Sequence, residues 1–291
     1  METILFALPN NETIGEKLSE RTGLPLGKSE IRWFPDGETY VRIDSDVRDK
    51  RVVLVCTLDR PDEKLLPLYF LSKTAKDLGA NCTCLVAPYL AYMRQDKRFR
   101  SGEGITSEYF ASLLSSFADS LITIDPHLHR RGCLSEIYSI PTTVSHASAH
   151  ISIWIRENVE EPVLVGPDKE SEQWVSEVAD NAGVPHIILE KVRHGDRDVE
   201  ISIPDIRKHE YHTPVLVDDI ISTGSTMIET ISHLKKAGMR SPVCVGVHAI
   251  FVGNAYGDLI NAGAERVVTC NTVVHQSNEI DVSDLLIGFI E

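Results

Sequence analysis

The stretch TPVLVDDIISTGSTMIETI, residues 213–231, decides the fold class. Three apolar residues, Val215 to Val217, run into two adjacent acids, Asp218 and Asp219. Ser222, Thr223, Gly224, Ser225 and Thr226 follow, before a segment of helical period. A short apolar run that ends in polar residues and opens into a helix is the βα half of a parallel-sheet unit. Open parallel sheets bind ligands at the carboxyl ends of their strands, and the two acids sit at such an end. The backbone N–H groups of a turn that opens a helix favour an anion. The hydroxyls add donors, and Gly224 lets the backbone come close to a ligand. A phosphate suits this turn, but the carboxylates beside it would repel one. They make sense against another part of the same ligand, either a vicinal diol, which donates two hydrogen bonds, or a shared metal ion. A sugar phosphate satisfies both halves. No Lys lies in the loop, so it is not a Walker motif. A Ser/Thr turn capping a helix beside solvated acids is the plainer reading of the same residues.

Outward from this stretch the rhythm recurs. TILFAL precedes a helix expected near 11–21, RVVLVCT (51–57) precedes one near 62–79, and CTCLVAP (82–88) and SLITID (120–125) bracket one near 106–117. In the second half, PVLVG (162–166) leads to a helix near 170–182, with HIILE (186–190) after it. PVLVDD (214–219) leads to a helix near 224–237, and PVCVGVHAI (242–250) to one near 254–262, then RVVTC (266–270). Such alternation indicates βαβ units on parallel sheets, and near-continuous apolar strands indicate burial on both faces. The rhythm runs twice, with a joint around 140–150. The expectation is an α/β protein of two domains, 1–145 and 146–291, each a mainly parallel sheet flanked by helices, with the last residues returning to the N-terminal domain. Two polar stretches without clear period, RQDKRFRSGEG (94–104) and EKVRHGDRDVE (190–200), are candidates for function.

Composition narrows the partners. The 291 residues are 42% apolar, enough for two ordinary cores, and carry a formal net charge of −14. With no long Lys/Arg block, such a chain would repel a phosphate polymer, so no nucleic acid is expected. No apolar run approaches the roughly 18 residues of a membrane span, so no membrane partner is expected either. Met1 to Pro9 reads as a strand with no basic region before it, not as a signal peptide. None of the six cysteines forms a C-x-x-C pair, and a reduced, cytoplasmic protein is the simplest expectation.

VLVDDIISTGST resembles the phosphoribosyl diphosphate (PRPP) loop shared by phosphoribosyltransferases and ribose-phosphate pyrophosphokinases. The remaining motifs resemble the pyrophosphokinases. RWFPDGETYVRI (32–43) is similar to their F-x-D-G-E segment, which implies that Phe34, Asp36 and Glu38 contact the adenine of ATP, often across a subunit interface; by itself it reads as an ordinary hairpin turn. PYLAYMRQDKRF (88–99) is similar to R-Q-D-[KR]-R, which implies ATP binding by Arg94, Gln95 and Asp96, with Lys97 close by. A solvated charged loop is the plainer reading. TIDPHLHR (123–130) resembles D-L-H, with Pro126 in place of Leu, and implies that His127 is a magnesium ligand, directly or through water. LVGPDKESE (164–172) resembles S-P-D-x-G, which implies that Asp168 holds a second metal or the ribose, although Lys169, Glu170 and Ser171 replace small residues. LEKVRHGDRDVEI (189–201) resembles the flexible K-x-R loop, which implies that Lys191 and Arg193 swing over the transferring group.

The resemblance runs from Phe34 to Thr226. Ser222, where many relatives carry an acid, and the RQDKRF…GE segment resemble the archaeal-type branch. The family implies two phosphoribosyltransferase-like domains with the active site between them, and Mg2+ as cofactor. It implies ATP and ribose 5-phosphate as substrates, with Asp218, Asp219 and residues 222–226 on the sugar phosphate, and a homo-oligomer of at least two subunits. Two alternatives stay open. A phosphoribosyltransferase would share the loop at 214–226 but has no need of F-x-D-G-E or R-Q-D. A non-catalytic regulatory relative would be expected to lose Lys191, Arg193, Asp218 or Asp219, all of which are present.

Overall fold

A computed structural model describes residues 1–128, 130–167, 171–193, 199–202 and 206–290, with backbone alone at 173, 190–193, 199–202 and 206–207. The chain forms two compact units, Met1–His146 with Ser283–Glu291, and Ala147–Val282.

In the first unit β1 (Thr3–Ala7) and α1 (Glu12–Thr22) lead to a hairpin of β2 (Ser29–Trp33) and β3 (Thr39–Ile43). Then β4 (Arg51–Val55), α2 (Pro61–Asp77), β5 (Cys82–Ala87), α3 (Thr106–Ser115), β6 (Ser120–Ile124) and β7 (Thr142–Ser145) follow. The strands form one parallel sheet in the order β1-β4-β5-β6-β7. On the far side of β1, Leu26 makes an isolated parallel bridge to Leu5. The helix α2 starts on Pro61, with Asp62 and Glu63 in its first turn, where a fixed φ and negative charge both suit the helix. It buries Leu68, Leu71, Ser72 and Ala75, one face at helical spacing. The C-terminal segment belongs to this unit through hydrogen bonds. The Arg51 guanidinium donates to the carbonyls of Phe289 (2.8 Å) and Ile290 (3.2 Å), and Ser145 Oγ donates to the carbonyl of Leu285 (3.0 Å).

The second unit opens with α4 (Ser148–Asn158) and β8 (Pro162–Gly166), then α5 (Glu172–Ala182), β9 (His186–Ile188) and a hairpin of β10 (Glu190–Arg193) and β11 (Val199–Ser202). It continues through β12 (Thr213–Ile221), α6 (Ser225–Lys236), β13 (Val243–Ala249), α7 (Ala255–Ala262), β14 (Arg266–Cys270) and β15 (Asn278–Ile280). The six-stranded sheet has the order β15-β14-β13-β12-β8-β9 and every neighbouring pair is parallel. Its core joins Val163, Val165, Leu216, Met227, Ile231 and Leu259 from strands and helices.

The two units repeat one plan: strand, helix, an edge contact, an antiparallel hairpin, then strands and helices in alternation. Both helices that follow the returning strand start from a left-handed residue, Arg60 (φ +48°) before α2 and Gly224 (φ +69°) before α6. In the second unit β8 lies between β9 and β12, so the strand order reverses there. The crevice outside the carboxyl ends of β8 and β12 is the switch point at which such sheets bind ligands.

Three findings differ from the sequence expectations. Residues 190–200 were expected as a loop, but Lys191 pairs with Ile201 and Arg193 with Val199 in the β10–β11 hairpin. Val192, Val199 and Ile201 supply the β-branched residues that such a ladder favours. An unexpected helix, α4, opens the second unit, burying Ile151, Trp154 and Ile155 at positions i, i+3 and i+4. The helix expected from about 170 starts at Glu172. Among the described residues, no helix is long and apolar enough to cross a membrane.

Candidate active site

The loop after β12 takes its shape from backbone geometry. Asp218 and Asp219 are half-buried at the end of the strand, and the Asp218 carboxylate accepts the backbone N–H of Asp219 at 2.9 Å. The carbonyl of Ser222 accepts from the N–H of Val252 (3.2 Å), which anchors the loop to the segment after β13. Gly224 caps α6 with φ +69°, a conformation that disfavours any side chain, and a Cβ there would meet Leu259 at 3.2 Å. Gly224 has no side chain to cap α6, and of the first-turn N–H groups that of Ser225 reaches Thr223 Oγ1 only at 3.4 Å. Ser225 Oγ donates to Thr223 Oγ1 at 2.9 Å, and Thr223, Ser225 and Thr226 are exposed. Half-buried acids thus stand beside exposed hydroxyls and a helix N-terminus, the division that a sugar phosphate needs.

Three other residues were expected at the site of this unit. Lys191 and Arg193 lie two apart on β10, where only the backbone is described. Asp168 lies outside the described residues, just beyond Pro167 at the carboxyl end of β8.

In the first unit Phe34, Asp36 and Glu38 form the exposed tip between β2 and β3. The tip is rigidly built. The N–H of Gly37 donates to the Phe34 carbonyl (2.8 Å), that of Phe34 to the Glu38 carbonyl (2.8 Å), and that of Glu38 to Asp36 Oδ1 (3.2 Å). Arg32 lies over the rings of Phe34 (4.7 Å) and Tyr40 (4.1 Å), which holds Phe34 in place while leaving it 40% exposed.

At the carboxyl end of β5, residues 94–104 form no regular element yet are tightly bonded. The Glu103 carboxylate is the hub. Its Oε2 accepts from the N–H groups of Phe99 (2.8 Å) and Arg100 (2.9 Å) and, at 3.4 Å, from Gln95 Nε2. Arg94 and Lys97 are exposed, Gln95 is half-buried, and Asp96 is buried. Tyr92, just upstream, has φ +63°, an outlier for a bulky residue. Its hydroxyl donates to Asp62 of α2, and that bond, more than burial, raises its pKa. At the end of β6, Asp125 also has positive φ (+36°) and is buried. Its carboxylate pairs with His146 Nδ1 at 2.8 Å, and His127 stands half-buried two residues on. Strained backbone of this kind concentrates at functional loops.

The structure therefore brings Arg94 to Lys97 together at one sheet end of the first unit, and Asp218, Asp219 and 222–226 together at the switch point of the second. Glu103, Arg130 and Arg131, which shape the 94–104 loop, had no assigned role in the sequence reading. The bonds of Arg130 and Arg131 join residues 23 to 35 positions apart, and no local pattern marks them.

Two parallel α/β units, the second with an acid pair and a hydroxyl-rich turn at its switch point, define a protein of phosphoribosyltransferase type. Residues 3–117 match the family described as the N-terminal domain of ribose phosphate pyrophosphokinase, and residues 134–285 match the phosphoribosyl transferase domain. The chain is 36% identical to the ribose-phosphate pyrophosphokinase of Methanothermobacter thermautotrophicus over 90% of each chain. It is 34% identical to that of Methanobrevibacter smithii, over 94% of this chain and 95% of the relative. It also shares its fold with phosphoribosylpyrophosphate synthetase from Mycobacterium smegmatis, with a TM-score of 0.85 and 23% identity, over 100% of this chain and 98% of the other. The chain belongs to the ribose-phosphate pyrophosphokinase family.

Proposed function

We propose that the chain transfers the β,γ-diphosphoryl group of ATP to O1 of ribose 5-phosphate, giving PRPP and AMP. The observation that carries this reading is the pairing of half-buried Asp218 and Asp219 with an exposed, hydroxyl-rich helix start at the β8–β12 switch point. The match to the pyrophosphokinase N-terminal domain over residues 3–117 favours it over a phosphoribosyltransferase, which has no use for an ATP-binding unit.

In this reading the first-turn N–H groups of α6 and the hydroxyls of Thr223, Ser225 and Thr226 bind the 5-phosphate. Asp218 and Asp219 accept from the ribose hydroxyls and leave O1 facing the nucleotide. Arg94 and Lys97 bind ATP with Gln95, and Phe34, Asp36 and Glu38 take the adenine from a neighbouring subunit of a homo-oligomer. The exposure of that rigid hairpin tip supports such an interfacial role. O1 attacks the β-phosphorus, the bond from that phosphorus to the α,β-bridging oxygen breaks, AMP leaves with the electron pair, and the O1 proton passes to solvent. Lys191 and Arg193 offset the charge that builds on the transferring oxygens. Positioning and electrostatics carry a reaction of this kind without a covalent intermediate.

His127 and Asp168 would hold Mg2+ together with the phosphates. Among the described residues no three His, Cys, Asp or Glu side chains gather into a metal cage, and a cation bound mainly through waters and substrate phosphates needs none. When bound, the ion supplies neutralisation of phosphate charge. Placement in a reducing cytoplasm accords with cysteines that form no disulfide among the described residues.

The test is product identity. Incubation with ATP, Mg2+ and ribose 5-phosphate, with no nucleobase present, should yield AMP. ADP in place of AMP, or no turnover until a nucleobase is added, would defeat the proposal.

A further inference from the structure

We propose that Arg130 is a further nucleotide-contacting residue, a cation that binds the polyphosphate of ATP beyond its first phosphorus, and that Asp96 acts through it as a positioning residue. The inference rests on the reading that the 94–104 loop takes ATP.

The Asp96 side chain is only 3% exposed, and both of its carboxylate oxygens accept from Arg130 Nη1, at 3.0 and 3.2 Å. An acid so enclosed, with its charge already matched, is poorly placed to meet a ligand that is itself anionic. Its partner is the opposite case, because the Arg130 side chain is 44% exposed. Both bonds run from one of the guanidinium's three nitrogens, and a planar fork anchored at one nitrogen suits phosphate oxygens at the others.

The surroundings point the same way. Arg131 fixes the chain beside Arg130, since its Nη2 donates to Glu108 (2.8 Å) and, weakly, to the carbonyl of Asp96 (3.5 Å). The Arg130 guanidinium lies 5.6 Å from the centroid of the exposed Phe99 ring, and Lys97 Nζ lies 5.1 Å from the same centroid. Two cations converge on one exposed ring, in a loop that also presents Arg94, on a chain with a net charge of −14. The other acid of the loop, Glu103, is engaged by backbone N–H groups. Of these cations Arg130 alone is paired with a buried acid, and a polyphosphate is an anion that can meet the positive charge left exposed.

The experiment is calorimetric titration of the full chain with ATP and with AMP, for the unaltered protein, Arg130→Ala, Arg130→Lys, Asp96→Asn and the double variant Asp96→Asn/Arg130→Ala. Arg130→Ala should weaken ATP by about tenfold or more, the scale of one charge-assisted hydrogen bond, and leave AMP nearly unchanged. Arg130→Lys, which keeps the ion pair, should recover part of the loss and serves as the folding control. The double variant should bind ATP no more weakly than Arg130→Ala alone, because Asp96 acts through the residue already removed. Equal loss for ATP and AMP would mean that Arg130 only holds the loop, and multiplied losses in the double variant would mean that Asp96 meets the nucleotide itself; either result overturns the inference. If the unaltered chain forms AMP in the product assay but Arg130→Ala keeps its ATP affinity, the inference falls and the proposed reaction stands. If no AMP forms yet Arg130→Ala selectively loses ATP, the reaction falls and the inference stands.

Discussion

Asp219 and Thr226 stand seven residues apart and face different parts of one sugar phosphate in the proposed site. Their chemistry separates them. Asp219 can only accept, so it serves a hydroxyl, while Thr226, exposed in the first turn of α6, can donate to a phosphate. Ribose 5-phosphate and 2-deoxyribose 5-phosphate therefore distinguish the two roles. Asp219→Asn should weaken use of ribose 5-phosphate and narrow its preference over the deoxy sugar, because a bond worth about 1.5–3 kcal/mol is lost with the first sugar only. Thr226→Ala should weaken both sugars about equally and keep the preference. Steady-state kcat/KM for both sugars at saturating Mg2+ checks this. A changed preference in Thr226→Ala with none in Asp219→Asn would reverse the assignment. At this scale the sequence was informative where one residue type admits few uses, as with the acid pair and the left-handed Gly224. It was silent where function is shared through space. Asp96 reads as a ligand contact in RQDK, and only the fold reveals that Arg130, 34 residues away, occupies its carboxylate.

At the scale of the element, β12 and α6 were legible because an uninterrupted apolar run and a helical period meet at a hydroxyl-rich turn. The strands β7 (TTVS) and β15 (NEI) were not, since each holds a single apolar residue. The β10–β11 hairpin was hidden by the charges between its strands. Its presence bears on mechanism. Lys191 and Arg193 belong to one paired strand, so they would approach the transferring group as one element. Lys191→Ala should lower kcat by about 10²-fold or more, the scale for loss of a key electrostatic donor, while KM for both substrates changes little. Measured binding of ATP and ribose 5-phosphate should stay near that of the unaltered protein. A variant with kcat within a few-fold of normal would remove Lys191 from the reaction.

For the whole molecule, the doubled plan places the Phe34–Glu38 tip and the 94–104 loop in the first unit and the 218–226 loop in the second, and the sequence rhythm anticipated that duplication. It did not indicate α4, with which the second unit opens. If the Phe34–Glu38 tip serves a neighbour's active site, one defective subunit can complement another. Asp36→Ala and Lys191→Ala proteins, each inactive alone, should regain measurable activity after mixing under conditions that exchange subunits. Recovery absent despite demonstrated exchange would confine each site to one chain.

The central claim is that two phosphoryl groups move together from ATP to the sugar. It is tested most directly with ATP labelled at the γ-phosphorus, ribose 5-phosphate and Mg2+, followed by separation of the products. The account predicts that the label appears in the sugar product while unlabelled AMP forms in equal amount. Label in a ribose bisphosphate with ADP as co-product would show single phosphoryl transfer and contradict the account.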